Sequence, residues 1–349
     1  MQILEHELYI EDLNKCAQLP LDWEKLRDKS VLITGATGMI GSFLVDVLMF
    51  KDINCKVYAI GRNIEKAEDR FQCYWKDSNF EFVSCDINQG ISLETDAIDF
   101  IIHAASNTHP IAYAQDPIGT ITTNVIGTNY LLEFAVRKHV KRMAFLSSVE
   151  VYGENRGDCE KFKEEYCGYI NCNTMRAGYP ESKRAGESLC QAYIAQKELD
   201  IVIPRLPRTY GPTMLMSDSK AIAQFIKKGV VKQDVILKSE GTQLYSYCYV
   251  ADSVSGILWC LLEGNCGEAY NIANADSDIM MRDLAKIIAE YAERKVVFEL
   301  PDAIERVGYS VATKALLDST KLEKLGWKAK YSMKEGLERT IDILRETGK

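Results

Sequence analysis

The sequence predicts an α/β fold: a doubly wound parallel sheet with helices on both faces, joined to a smaller, irregular α/β lobe. Three observations carry this expectation. Between residues 30 and 206, short apolar runs alternate with helical stretches. The turn after the first apolar run is rich in glycine. After Gly211-Pro212 the alternation breaks.

Taken in order, residues 1–29 read as a helical extension, amphipathic from Ile3 to Ala17, with LPLDWEKLRDKS leading into the first strand. It is expected to pack on the body or on a partner subunit. Ser30–Thr34 is an apolar strand and Gly41–Phe50 a helix. Lys56–Ile60, Glu81–Ser84, Phe100–Ala104 and Met143–Ser147 read as further strands, and Gly119–Lys138 as a long helical stretch. Gly178–Lys197 is a helix and Asp200–Leu206 a strand. Short apolar strands separated by helices are the pattern of a sheet buried on both faces. Beyond Gly211-Pro212, helices are expected at Ser219–Gly229, Ala251–Leu262, Met281–Lys295 and Ser332–Glu346. The chain therefore divides into the extension (1–29), a sheet domain (30–210) and a mainly substrate-binding lobe (211–349), with crossings between the last two.

Composition narrows the function. The 349 residues are 47% hydrophobic and 26% charged, as in ordinary globular domains. A net charge of −8 and a pI near 5.3 leave no broad basic footprint for nucleic acid. No apolar run reaches the ~18–20 residues of a membrane span. The start, MQILEHELYIEDLNK, lacks the basic region and cleavage site of a signal peptide, which predicts a cytoplasmic protein. Eleven cysteines without a C-x-x-C pair, and only four histidines, predict reduced, mostly buried thiols and no metal site. Cys159, Cys167 and Cys172 share one loop-like region, where the bland reading is also reduced thiols.

Two motifs carry chemistry. Ser30–Gly41 reads SVLITGATGMIG and places Gly35, Gly38 and Gly41 between a strand and a helix. The first glycine allows the turn, the second lets a pyrophosphate reach the backbone, and the third lets helix and strand pack closely. The helix N-terminus offers free N–H groups to phosphate. This pattern predicts dinucleotide binding. The second motif is Tyr179 and Lys183 in TMRAGYPESKRAGES, one helical turn apart on one face. A nearby ammonium stabilises phenolate, and a tyrosine so tuned serves as a general acid or base.

These residues do not stand alone. TGATGMIG, Asp86 after a strand, HAAS at 103–106, Asn124 in TNVIGT, SSVEVYG at 147–153, YPESK at 179–183 and YGP at 210–212 occur in one order. The chain thereby resembles an extended short-chain dehydrogenase/reductase of the nucleotide-sugar epimerase/dehydratase group, over about residues 30–345. The resemblance implies a Rossmann-type sheet domain, a C-terminal lobe for a nucleotide-activated sugar, and a homodimer through a helix pair. It implies Ser148, Tyr179 and Lys183 as the catalytic set, with Ser148 bonding the reacting oxygen and Lys183 holding the nicotinamide ribose. It assigns the cofactor to Gly35, Thr37, Gly38, Met39, Ile40, Gly41, Arg62, Asp86, Ile87, Ala104, Ala105 and Asn124, besides Tyr179 and Lys183.

For the cofactor, the second strand ends in Gly61-Arg62 where an NAD enzyme usually carries an acid for the ribose 2′-hydroxyl. Arginine pairs with a 2′-phosphate, so NADP(H) is preferred and NAD(H) is the alternative.

For the reaction, the nearest branch is the UDP-glucuronate decarboxylases. They share the Glu150 of S-x-E-V-Y-G, the Arg176 three residues before the tyrosine, and K-R-x-x-E at Lys183, Arg184 and Glu187. Glu150 is then a candidate base near sugar C5. Several positions depart from the family pattern. Val149 stands where dTDP-glucose dehydratases carry an acid, Arg208 replaces an asparagine, Thr213 an arginine, and Tyr245 a phosphate-binding arginine. Ser106, Arg176, Arg208 and Tyr245 are the candidate substrate residues, with Arg208 as a clamp for the diphosphate or the sugar.

The favoured expectation is an NADPH-dependent reductase of a nucleotide-linked keto sugar or ketose. The alternative is a redox-neutral decarboxylase, 4,6-dehydratase or epimerase. Either belongs to bacterial surface-glycan precursor synthesis. Relatives that lost the tyrosine serve as non-catalytic dinucleotide sensors, but here Ser148, Tyr179 and Lys183 are all present.

Overall fold

The computed structural model describes residues 1–95, 97–108, 115–299 and 313–348. Strand β1 (Ser30–Thr34) is buried along its whole length. It lies between β2 (Lys56–Gly61) and β4 (Phe100–His103), with β3 (Phe80–Ser84) outside β2. On the other side of β4 come β5 (Arg142–Phe145) and β7 (Ile201–Leu206), with the two-residue β6 (Ser147–Ser148) also paired to β7. All these pairings are parallel, and Val31 faces both Val57 and Phe100.

Alternation along β1 makes the two-sided core. Val31 and Ile33 point into one apolar cluster with Phe43, Leu44 and Val57. Leu32 points the other way, with Ile101, Leu131, Leu132 and Met143. A strand buried on both faces is mostly apolar, which is why Val31, Leu32 and Ile33 run without polar alternation between Ser30 and Thr34, whose hydroxyls are hydrogen-bonded.

Three predicted elements differ in detail. The stretch Met143–Ser147 is two strands, β5 and β6, separated at Leu146. The long helix at 119–138 is really Pro117–Thr122, a π-helical turn at Thr123–Gly127, and Thr128–Arg137. A π turn adds a residue to the ladder and re-aims a side chain; here Asn124 lies inside it, fully buried. The Met281–Lys295 helix stops at Tyr291, because Val296–Phe298 is needed as a strand.

The remainder forms smaller sheets. β8 (Arg208–Tyr210) runs parallel to β10 (Leu244–Tyr249), so that Arg208 faces Tyr247 and Tyr210 faces Tyr249. Between them in the chain lies β9 (Val235–Leu237). The chain then returns to the large sheet, where β11 (Ala269–Asn271) pairs with β7. β12 (Asp278–Met280) and β14 (Lys314–Ala315) flank β10, and β13 (Val296–Phe298) pairs with β9.

The N-terminal extension packs on the body. Its Glu7–Ala17 helix lies against the Met39–Lys51 and Val250–Glu263 helices. Tyr9 and Arg70 both bond the buried Asp46. Asp12 is fully buried and accepts from Tyr249 Oη (2.5 Å), Tyr331 Oη (2.6 Å) and Arg339 Nη2 (2.7 Å).

Candidate active site

The glycine turn sits at the carboxyl end of β1. Gly35 has φ +67°, and a Cβ there would come within 2.8 Å of the Ala104 carbonyl and the Ala105 backbone. Only glycine satisfies both demands. A Cβ on Gly41 would meet the Gly35 carbonyl at 2.3 Å, so turn and helix touch backbone to backbone. The Met39–Lys51 helix opens at Gly38, which supplies no capping side chain. The first-turn N–H groups thus face outward beside half-buried Thr37, Met39 and Ile40, a cradle suited to pyrophosphate. Thr213 of the Y-G-P-T loop closes one wall by donating to the Met39 carbonyl at 2.8 Å.

Arg62 follows β2 with its side chain exposed. Asp86 is half-buried beyond β3, and its Oδ1 accepts from the Asn88 N–H at 3.0 Å. Ile87 beside it is buried.

Behind the cradle runs a buried polar chain with one consistent direction. Thr128 Oγ1 donates to the Asn124 carbonyl (2.7 Å), so it accepts from His103 Nε2–H (3.0 Å). His103 Nδ1 then accepts from Thr34 Oγ1 (2.7 Å), which in turn accepts from the Ala105 N–H (3.2 Å). Burial pushes the His103 pKa down to about 3, so the ring stays neutral. The Asn124 amide donates to Ser182 Oγ (2.9 Å) and accepts from Ser106 Oγ (2.7 Å). Ser182 Oγ bonds the Tyr179 carbonyl at 2.8 Å, which ties the π turn to the next helix.

That helix, Gly178–Lys197, carries Tyr179 and Lys183 on one buried face. Lys183 Nζ donates to the Leu146 carbonyl at 2.8 Å and lies over the Phe145 ring. Its carbonyl partner sits at the break between β5 and β6. Burial lowers the Lys183 pKa to about 8. Tyr179 goes the other way: burial raises its phenol to about 12, the Ser148 hydrogen bond pulls it back, and the Glu150 charge raises it further. Lys183 thus donates to Leu146 here, and Ser148 and the Arg176 charge are the groups that ease phenol ionisation.

The K-R-x-x-E continuation is structural. Arg184 donates to the Val151 and Gly168 carbonyls. Glu187 accepts from Ser147 Oγ (2.5 Å) and forks onto Arg205 (2.9 and 2.6 Å), bracing β6 and β7.

On the far side of Tyr179, Glu150 projects from a 3-10 turn at Val149–Tyr152. Its Oε2 accepts from Arg176 Nη2 at 3.0 Å, and its Oε1 lies 3.9 Å from Arg208 Nη2. The Arg208 guanidinium stacks on Tyr245, with Cζ 3.5 Å from the ring centroid. The structure thus gathers Ser148, Tyr179, Glu150, Arg176, Arg208 and Tyr245. Ser106 donates to Asn124, which is tied through Ser182 to the Tyr179 carbonyl. Thr34, Thr128 and Ser182 escaped the sequence reading, although all three lie inside the quoted motifs. Among the described residues no three His, Cys, Asp or Glu side chains converge as a metal site, and no helix is long and apolar enough to cross a membrane.

Comparison with known proteins agrees with this geometry. The NAD dependent epimerase/dehydratase family matches residues 31–273. UDP-glucuronic acid decarboxylase 6 of Arabidopsis thaliana is 33% identical over 311 residues, 88% of this chain and 86% of that protein. UDP-glucuronic acid decarboxylase 1 of Xenopus tropicalis is 30% identical over 322 residues, 91% and 72% of the two chains. Among solved structures, a dTDP-glucose 4,6-dehydratase from Streptomyces venezuelae with NAD and TYD bound superposes with TM-score 0.77 at 25% identity, over 91% and 97% of the chains. The glycine cradle, the Ser148–Tyr179 contact and these likenesses agree: the chain belongs to the NAD-dependent epimerase/dehydratase family.

Proposed function

We propose that this chain is a redox-neutral enzyme of nucleotide-activated sugars that decarboxylates a UDP-uronate. The observation that carries the reading is Glu150, a carboxylate held against the Ser148–Tyr179 pair by Arg176 and flanked by Arg208. Simple ketone reduction needs only Ser148, Tyr179 and Lys183. A carboxylate fixed beside them suits proton transfer at the neighbouring sugar carbon. The decarboxylase relatives support the same choice, so the redox-neutral alternative displaces the favoured reductase. Val149 speaks against a 4,6-dehydratase, which carries an acid there.

The glycine cradle of Gly35, Gly38 and Gly41 fits a nicotinamide dinucleotide, which would supply a reversible hydride acceptor for sugar C4. Tyr179 removes the C4 hydroxyl proton and later gives it back, while Ser148 bonds the same oxygen. The sugar carboxylate leaves as CO₂ beside the C4 carbonyl, and Glu150 relays the proton that replaces it at C5. Lys183 and Asn124 position the cofactor. The family and the superposed dehydratase favour NAD, and exposed Arg62 keeps NADP as the competing form. Ile118, Ile121, Ile126 and Tyr130 are exposed along residues 117–137, an apolar face suited to a homodimer.

The test supplies UDP-glucuronate with NAD. The expected result is CO₂ and a UDP-pentose with no net NADH, and a loss of ~10²-fold or more in turnover for Glu150→Gln. Stoichiometric NADPH oxidation with a nucleotide-linked keto substrate, and a mild Glu150→Gln phenotype, would restore the reductase.

A further inference from the structure

We propose that Arg208 is a specificity-determining residue that docks an anionic oxygen of the substrate. This deepens the nucleotide-sugar reading above and rests on it. Arg208 Nη1 is buried and donates to no acceptor among the described residues. Leaving such a donor unsatisfied is costly, more so when it is charged. Glu150 does not relieve it: it is hydrogen-bonded to Arg176 at 3.0 Å and stands 3.9 Å from Arg208 Nη2, beyond hydrogen-bond range.

The guanidinium is nevertheless held in one place. β8 and β10 run in parallel register, with Arg208 opposite Tyr247. Tyr245, two residues before Tyr247, shows the same face of β10. Its ring carries the guanidinium at 3.5 Å. Stacking fixes the plane of the cation and leaves its N–H donors directed outward along the edge. A planar fork with a spare buried donor, beside the Ser148–Tyr179–Glu150 group, is built for a carboxylate or phosphate oxygen. Two groups on a UDP-uronate offer that chemistry, the sugar carboxylate and the diphosphate.

The experiment measures binding of UDP-glucuronate, UDP-glucose and UDP to NAD-loaded parent, Arg208→Gln and Arg208→Lys proteins. Loss of one charge-assisted contact predicts about tenfold to hundredfold weaker binding. If Arg208 docks the sugar carboxylate, Arg208→Gln weakens UDP-glucuronate alone. If it docks the diphosphate, all three probes weaken together. In either case Arg208→Lys, which keeps the charge without the stacked fork, recovers only part of the loss. Unchanged NAD affinity in both variants verifies the fold. Binding within about twofold of the parent for every probe overturns this inference and leaves the proposed function standing. A parent that binds none of the three overturns the proposed function, and this inference with it.

Discussion

Behind the glycine turn one buried polar chain is made of neutral groups. Thr34, His103, Thr128 and Asn124 pass hydrogen bonds along one chain, and His103 has no charge to give. Behind β8 and β10 the buried groups include carboxylates. Asp12 sits under Tyr249 and Tyr331, and Asp252 accepts from the Lys330 and Tyr331 N–H groups at 2.8 and 3.0 Å. Burial raises the pKa of both, that of Asp252 to about 7. The neutral chain thus does not titrate in the physiological range, whereas Asp252 does. The difference teaches that the glycine turn is seated on backbone contacts and a neutral relay, whereas the Asp12 and Asp252 cluster is braced by carboxylates.

Tyr179 joins the halves, through Ser182 to the neutral chain and through Ser148 to Glu150. The largest expected effect is therefore Tyr179→Phe. It should cut turnover by ~10²–10⁴ with the bound cofactor and melting temperature unchanged. A variant keeping more than a third of parental activity would remove Tyr179 from its role at the junction.

Next in size is a challenge to the backbone seat. Gly41→Ala forces a methyl against the Gly35 carbonyl. Overpacking of this kind costs ~1–3 kcal/mol, which should appear as about tenfold to hundredfold weaker dinucleotide binding. Affinity equal to the parent would mean that the seat yields, contrary to the contrast drawn here.

The smallest effect sharpens the charged half. The folded-state pKa of Asp252, about 7, lies above its unfolded value of ~3.9, so the folded protein holds the extra proton between them. Its contribution is full below pH ~4 and is lost as pH rises to about 7. Asp252→Asn removes that titration. Relative to the parent, the variant should gain stability across this window, by no more than ~1.4 kcal/mol per pH unit. Urea midpoints at several pH values check this, and parallel parent and variant curves would place the charge sensitivity elsewhere.

The same contrast explains what could be read from the sequence. The glycine turn, Tyr179 and Lys183 were legible because their geometry is local: a turn of fixed shape and one helical turn. Strands β1, β2, β4, β5 and β7 were legible as short, mostly apolar runs, whereas β11, three residues that join the sheet only by pairing with β7, was not. Arg208 and Tyr245 were legible only as departures from a pattern, since their stack depends on pairing two strands distant in the chain. The Asp12 cluster could not be read at all, because Tyr249 and Tyr331 lie 237 and 319 residues away. The π turn was missed for another reason: its residues have ordinary helical character, and only the need to bury Asn124 distinguishes them.

Asp12 also sets an order of events during synthesis. The Glu7–Ala17 helix leaves the ribosome early, yet its central carboxylate acquires Tyr331 only 319 residues later, and Arg339 later still. At ~5–20 residues per second the helix waits roughly 15–65 s for its latch. Strands β1–β7 and the cradle emerge well before that. The Glu7–Ala17 helix can dock early through Tyr9 on Asp46 and Arg70, but its Asp12 end is completed only when the Met333–Thr347 helix brings Arg339.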